Sequence, residues 1–411
     1  MRKDFLDAGG RVDSIGRLGR IARIATGIAL AGLLAACASV GFGPMMSEGG
    51  TTADASALPA VQGRTFGTGP TRVALLLPLS GDPALVSVGS SLSNAAQLGM
   101  KFIADSPNLT ENITLVLKDS GDTAGGAAQA ASQAVAEGAS LILGPLRADQ
   151  VTAVGGVART AGIPVIGFSN NSGAAAPGVY LLNVLPEVEA KRALSFVHGK
   201  GKRAFAGIFP ATDFGRIHEG AFRQAAADLG LNARAVYSFS NEAEARALVQ
   251  QVAPLLQSRQ IDTLFLPDRS TAPSFAVMLE EAGVPMGTVQ IVGSADWNGD
   301  QAIMNTPFLS GALYPAVDET GYQALAGEYR ALFGGEPHPL ATISYTAVIL
   351  ANASALSQST PKYDRAALTI AGGFNGRDGV FRFLPDGRSE YALVMKEIAI
   401  ASARIVDGPK L

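Results

Sequence analysis

Four consecutive polar residues, Ser169-Asn170-Asn171-Ser172, stand directly behind the short apolar run Val165–Phe168. Their hydroxyls, side-chain amides and backbone N–H groups can hold a carboxylate or an amide. The same four residues also suit a polar turn that caps the next element, so type and spacing leave both uses open. Arg147 follows another apolar run and offers a cation either to an anion or to solvent. Asp268 and Arg269 end a third and can pair with each other, and Trp297 can stack on a ligand or plug a core. Catalytic chemistry finds little support. His198, His218 and His338 lie far apart without metal-ligand spacing. No nucleophile elbow, Walker loop or dinucleotide glycine motif falls where a strand meets a helix. Gly167-Phe168-Ser169-Asn170-Asn171 lacks the second glycine of the hydrolase elbow. The expectation is binding without catalysis, with no cofactor and no metal.

The elements that must carry these residues alternate. The apolar runs Val73–Leu77, Ile113–Leu117, Leu141–Leu143 and Val165–Phe168 are separated by Ala-rich helical stretches at Leu92–Ile103, Ala127–Glu137 and Gln150–Thr160. That βαβα rhythm predicts a parallel sheet covered on both faces. After Tyr180–Leu182 and Leu185-Pro186 it restarts, with strands Ala204–Ile208, Ala233–Tyr237, Thr263–Leu266 and Val289–Val292 between four further helices. Gly321–Phe333 and Thr342–Ser357 then read as successive helices. Gly379–Leu384 and Tyr391–Ile400 read as a hairpin around Pro385-Asp386-Gly387, because Asp-Gly is a strong turn signal. A chain of 411 residues exceeds one ordinary core, so two lobes are expected. With a net charge of −3 and no basic stripe past the N-terminus, the composition argues against nucleic acid as a partner.

The N-terminus carries Arg17, Arg20 and Arg23, the apolar run Ile24–Ala36, and then Cys37, the chain's single cysteine. The run is shorter than the roughly 20 residues a spanning helix needs, which favours a secretory leader. Leu34-Ala35-Ala36-Cys37 resembles the bacterial lipobox, in which the cysteine sulfur receives diacylglycerol and becomes the new N-terminus. Ala38 rather than Asp follows, and by resemblance to the common sorting rule this favours a periplasmic chain anchored in the outer membrane. Residues 38–69 are rich in Gly, Ser, Thr and Ala and read as a flexible tether.

Several blocks, in order, resemble the leucine/isoleucine/valine-binding branch of the type I periplasmic binding proteins. They are Leu77-Pro78-Leu79-Ser80-Gly81, Lys118-Asp119 through Ala127, Leu143-Gly144-Pro145, Gly162-Ile163-Pro164-Val165-Ile166, Asp213-Phe214-Gly215, and Phe374-Asn375-Gly376 through Phe383 with Pro385-Asp386-Gly387. The resemblance implies an α/β fold of two doubly wound, Rossmann-like lobes joined by three crossovers. Lobe one is placed at 70–184 with 313–360, and lobe two at 185–312 with 361–402. It also implies a cleft that holds a small polar ligand, such as an amino acid, with contacts at Ser80, Ser169, Asn170, Asn171 and Ser172, and at Phe214 in the position of an aromatic. Asp296 falls near the acid that pairs with a ligand ammonium, although a helix cap or a solvated charge fits it equally. Ala148 stands where amino-acid binders carry a contacting serine, a departure that weakens an amino-acid ligand. Two roles follow: a receptor for an ABC permease, or, by resemblance to penicillin-binding-protein activator lipoproteins, a partner of a cell-wall synthase.

Overall fold

The computed structural model describes residues 59–411; the leader 1–37, Cys37 and the first part of the tether lie outside the described residues. The chain begins with strand β1 (Arg64–Phe66) and β2 (Thr71–Leu77), then α1 (Pro83–Asp105), β3 (Ile113–Asp119), α2 (Ala124–Ala136), β4 (Leu141–Leu143), α3 (Ala148–Ala161), β5 (Val165–Gly167) and β6 (Val179–Leu181). Helix starts follow local chemistry. The Asp82 carboxylate accepts from Ala84 N at 2.8 Å and Pro83 opens α1, while Thr123 Oγ1 accepts from Gly126 N at 3.1 Å at the start of α2.

After a crossover at 182–185 come α4 (Pro186–Gly199), β7 (Ala204–Pro210), α5 (Asp213–Asp228), β8 (Asn232–Phe239), α6 (Glu242–Gln257), β9 (Thr263–Phe265), α7 (Ala272–Glu281), β10 (Gln290–Val292), α8 (Gln301–Met304) and β11 (Leu313–Ala316). A second crossover at 317–319 returns to α9 (Thr320–Phe333), α10 (Ala341–Asn352), α11 (Ser354–Ser357), α12 (Arg365–Leu368), β12 (Phe374–Gly376), β13 (Gly379–Phe383) and β14 (Ser389–Tyr391). A third, at Ala392, leads to β15 (Leu393–Ala399) and β16 (Ser402–Lys410).

Sheet one runs β1-β3-β2-β4-β5-β6, parallel except for β1. Sheet two runs β16-β15-β11-β10-β9-β7-β8, parallel from β11 to β8. Setting aside the antiparallel edge strands, both sheets have the doubly wound order 2-1-3-4-5, and each has one point where the order reverses. The first sheet packs α1, α10 and the aromatic hairpin on one face and alanine-rich α2 and α3 on the other.

Three expectations shift. The tether does not reach residue 69, because β1 pairs with β3 and the preceding turn is clamped: Lys118 Nζ donates to Gln62 O at 2.7 Å, and Gln62 N donates to Glu137 Oε1 at 3.0 Å. Residues 313–316 belong to lobe two, since β11 extends its sheet beside β10 and β15. Residues 361–391 belong to lobe one, because Tyr363, Phe381, Phe383 and Tyr391 are buried in its core. The hairpin's second arm is therefore β14 alone. The Gly387 turn lies so close to β6 that a Cβ there would meet Val179 O at 2.1 Å, and Leu181 N donates to Gly387 O at 2.9 Å. Past Ala392 the chain leaves for sheet two.

Candidate functional site

Ligands in sheets of this order lie beyond the carboxyl ends of the strands where the order reverses. In lobe one that point falls between β2 and β4, whose loops carry Ser80 and Ala148, with the β5 loop carrying Ser169–Ser172 beside them. The β4 and β5 loops are joined by Phe168 N donating to Pro145 O at 2.9 Å. Ser80 and Asn170 are exposed, Ala148, Asn171 and Ser172 are half-buried, and Ser169 is buried. Part of this polar capacity is used locally: Ser169 Oγ accepts from Asn171 N at 3.1 Å, and Asn171 Oδ1 from Gly173 N at 2.9 Å. The turn-capping use is thus present. Burial raises the Asp119 carboxyl, but hydrogen bonds from the Ser80 side chain, Gly121 N and Leu79 N outweigh it and hold the group below the ordinary aspartate value. Arg147 lies at the surface beside Asp149, its Nε 3.1 Å from Oδ1.

Lobe two reverses between β7 and β9. The loop after β7 starts α5, where Thr212 Oγ1 accepts from Gly215 N at 3.2 Å and half-buried Phe214 stacks on His218 with ring centroids 4.0 Å apart. His218 is 5% exposed and its Nδ1 lies 3.0 Å from Phe214 O. Burial holds its imidazole below the ordinary value, against that hydrogen bond and the charges of Asp296, Glu187 and Asp268. After β9, Asp268 accepts from Ser270 N at 3.0 Å and Thr271 Oγ1 at 2.8 Å. It does not pair with Arg269, whose guanidinium turns instead to Asp296, Nε to Oδ1 at 3.6 Å. Asp296 also accepts from Arg269 N at 3.2 Å, and Ser294 Oγ accepts from Asp296 N. Trp297 is fully buried, packed against Gly293 and Tyr314, so its ring is a core plug rather than a stacking surface.

Two residues that the sequence reading did not single out complete this wall. Glu189 of α4 is 8% exposed and accepts from Ala295 N at 2.9 Å. Burial pushes its carboxyl up to about 7, against that hydrogen bond and with the charges of Asp296 and Glu187. Glu187 sits two residues earlier in the same first turn. Its Oε1 receives a hydrogen bond from Ser172 Oγ across the lobe junction, while its buried Oε2 finds no partner among the described residues. The structure therefore joins the β5 loop of lobe one to α4 of lobe two directly, and α4 to the β10 loop. Ser80 and Ala148 stay with lobe one, and Phe214 and Asp296 with lobe two. A concavity of about 560 Å³ along α4 and the β13–β14 hairpin shares only Glu187 with this wall.

Twin doubly wound lobes, three crossovers and carboxyl-end loops facing one junction define a two-lobed binding protein. Residues 70–387 match the family model described as periplasmic binding protein, and the chain belongs to that family of solute-binding proteins, which are not enzymes. Among solved structures it is similar to a putative branched-chain amino acid ABC transporter protein from Rhodospirillum rubrum, at 20% identity and TM-score 0.69, covering 82% of this chain and 99% of that one. It is similar to an ABC transporter substrate-binding protein from Desulfitobacterium hafniense in complex with Leu, at 15% identity and TM-score 0.60, covering 82% and 99%. It is also similar to full-length LpoA from Haemophilus influenzae, at 16% identity and TM-score 0.62, covering 84% of this chain and 60% of that one. No curated protein matches the sequence.

Proposed function

We propose that this chain is a lipid-anchored periplasmic receptor that holds a small polar ligand of amino-acid type between its lobes and delivers it to an ABC permease. The observation that carries this reading is the unequal dressing of two equivalent switch points. Hydroxyls and amides at Ser80 and Ser169–Ser172 stand on one side, where the acids Asp82, Asp119 and Asp149 are exposed and engaged locally, and the more buried acids Asp296, Glu187 and Glu189 stand on the other. A zwitterion satisfies both: its carboxylate takes the neutral donors of lobe one, and its ammonium takes the acids of lobe two, where Glu187 Oε2 lacks a partner among the described residues. The leucine complex of the similar D. hafniense protein supports the ligand class. The anchor rests on Cys37 and the residues before it.

The test is thermal unfolding of the chain from residue 38 against amino acids, amides and cell-wall peptides. A ligand at about 100 times its dissociation constant adds roughly 2.7 kcal/mol. A shift that Asp296→Ala abolishes supports the receptor. A panel without effect sinks it and favours the second reading, docking on a cell-wall synthase, for which the likeness to LpoA and the missing serine at Ala148 are the supporting observations.

A further inference from the structure

We propose that lobe one carries a second site, for a phosphate-type anion, in a concavity at the end of the sheet opposite the cleft. The cavity, about 320 Å³, lies between the C-terminal end of α3, the start of β6 and the segment leading into α12, and Arg159, Lys362 and Arg365 line it. All three cations are exposed, and none has a carboxylate within salt-bridge distance among the described residues. Neutral groups orient two of them without cancelling their charge. Lys362 Nζ donates to Thr71 Oγ1 at 2.8 Å, and Arg365 Nη2 donates to Pro385 O at 3.0 Å. Asp364 is the one acid on the wall, and its Oδ2 is engaged as a cap, accepting from Ala366 N at 2.9 Å. Three cations against one engaged carboxylate, in a chain whose net charge is −3, mark a local excess of positive charge around a concave space. Arginine forks and a lysine are the side chains that hold phosphate oxygens by charge-assisted hydrogen bonds.

The position of this cavity bears on the source of the anion. Thr71 opens β2, and the next residue, Arg72, donates from Nη1 to Pro59 O at 2.8 Å. Pro59, the first described residue, is therefore held at the amino ends of lobe one's strands, the same end that carries the three cations. The headgroup phosphates of a membrane and free phosphate offer the same chemistry to this face.

The experiment uses the full chain with Cys37→Ser and the same chain carrying Arg159→Gln, Lys362→Gln and Arg365→Gln together. Each is sedimented with phosphatidylcholine vesicles with and without phosphatidylglycerol, and each is melted with and without inorganic phosphate. The proposal expects phosphatidylglycerol, phosphate or both to act on the parent chain. Neutralising three cations should weaken the response about 100-fold, at roughly fivefold for each charge near an anionic surface. Response to vesicles alone assigns a headgroup, and response to free phosphate assigns a soluble anion. Arg159→Gln by itself, on an exposed helix end, should cost about fivefold with an unchanged melting temperature, which separates a lost site from a lost fold. Equal behaviour of parent and triple variant in both arms, or no response from the parent in either, overturns the site.

Discussion

The two sheets share a strand order but not the burial of the acids at their carboxyl ends. In lobe one the carboxyl-end loops present Ser80, Ala148 and Ser169–Ser172 together with acids held near the surface: Asp119 is committed to Leu79, Ser80 and Gly121, Asp82 caps α1, Asp149 pairs with Arg147, and Asp122 stands beside Gly81. In lobe two the equivalent loops and the start of α4 gather Asp268, Asp296, Glu187 and Glu189, with Arg269 as a counter-charge. Topology thus brings the two sets of loops to one junction, and the residues after each strand decide which groups each lobe presents there. Glu189 sharpens the contrast, because a carboxyl held near neutrality can ionise when a cationic group arrives beside it.

The largest expected effect tests which lobe owns the C-terminal hairpin. Phe381 is 1% exposed and contacts Phe374, Phe383 and Tyr391 within lobe one's core. Phe381→Ala should cost about 3–5 kcal/mol in denaturant unfolding, and a loss below about 1 kcal/mol would remove the hairpin from that core.

The next prediction concerns the acidic wall. An acid whose carboxyl is raised in the fold binds a proton more tightly there than in the unfolded chain, so stability is fully present below the unfolded value of 4.5 and falls as pH rises through about 7. Glu189 should therefore cost the wild type about 3 kcal/mol between those limits. Glu189→Gln, which keeps an oxygen for Ala295 N, should remove this loss, seen as a difference between the two proteins' melting temperatures that grows with pH and levels off above about 7. Parallel pH profiles would show that Glu189 is not held neutral.

Once a ligand is found by thermal shift, Asp296→Ala should weaken it by about 1.5–3 kcal/mol, the usual size for a hydrogen bond to a charged group, and Ser169→Ala by about 1 kcal/mol. The reverse order, read by calorimetric titration, would place the ligand's stronger contacts in lobe one and count against an ammonium held by Asp296. The smallest effect is expected from Arg269→Ala. Arg269 and Asp296 are 53% and 29% exposed, so their pairing should add less than about 1 kcal/mol to stability. The same change should tighten a cationic ligand by freeing Asp296, and weaker binding would make Arg269 a contact in its own right.

Much of this architecture is legible in the chain. The alternation of short apolar runs with Ala-rich stretches marks both doubly wound halves, since each strand buried on two faces must be apolar throughout. What stayed hidden depended on distant partners. Leu313-Tyr314-Pro315-Ala316 contains a proline, which argues against a central strand, and only its neighbours β10 and β15 make it one. β1 has three residues and no pattern of its own. Glu187 and Glu189 read as ordinary acids in a helix's first turn, where they complement the dipole, and their burial is visible only once Ala295 and Ser172 arrive from elsewhere. His218 had a local signal: it lies four residues after Phe214 on one helix, the spacing at which side chains meet.

The interleaving of the two lobes also sets a timetable for the nascent chain. Lobe one's core waits for Phe381, Phe383 and Tyr391, and sheet two waits for β15 and β16, so neither half can close until synthesis has passed residue 391. Contacts this remote in sequence form slowly. For most of its elongation the polypeptide lacks the segments that complete both lobes, which favours an open chain that can be threaded through a narrow passage before either lobe locks.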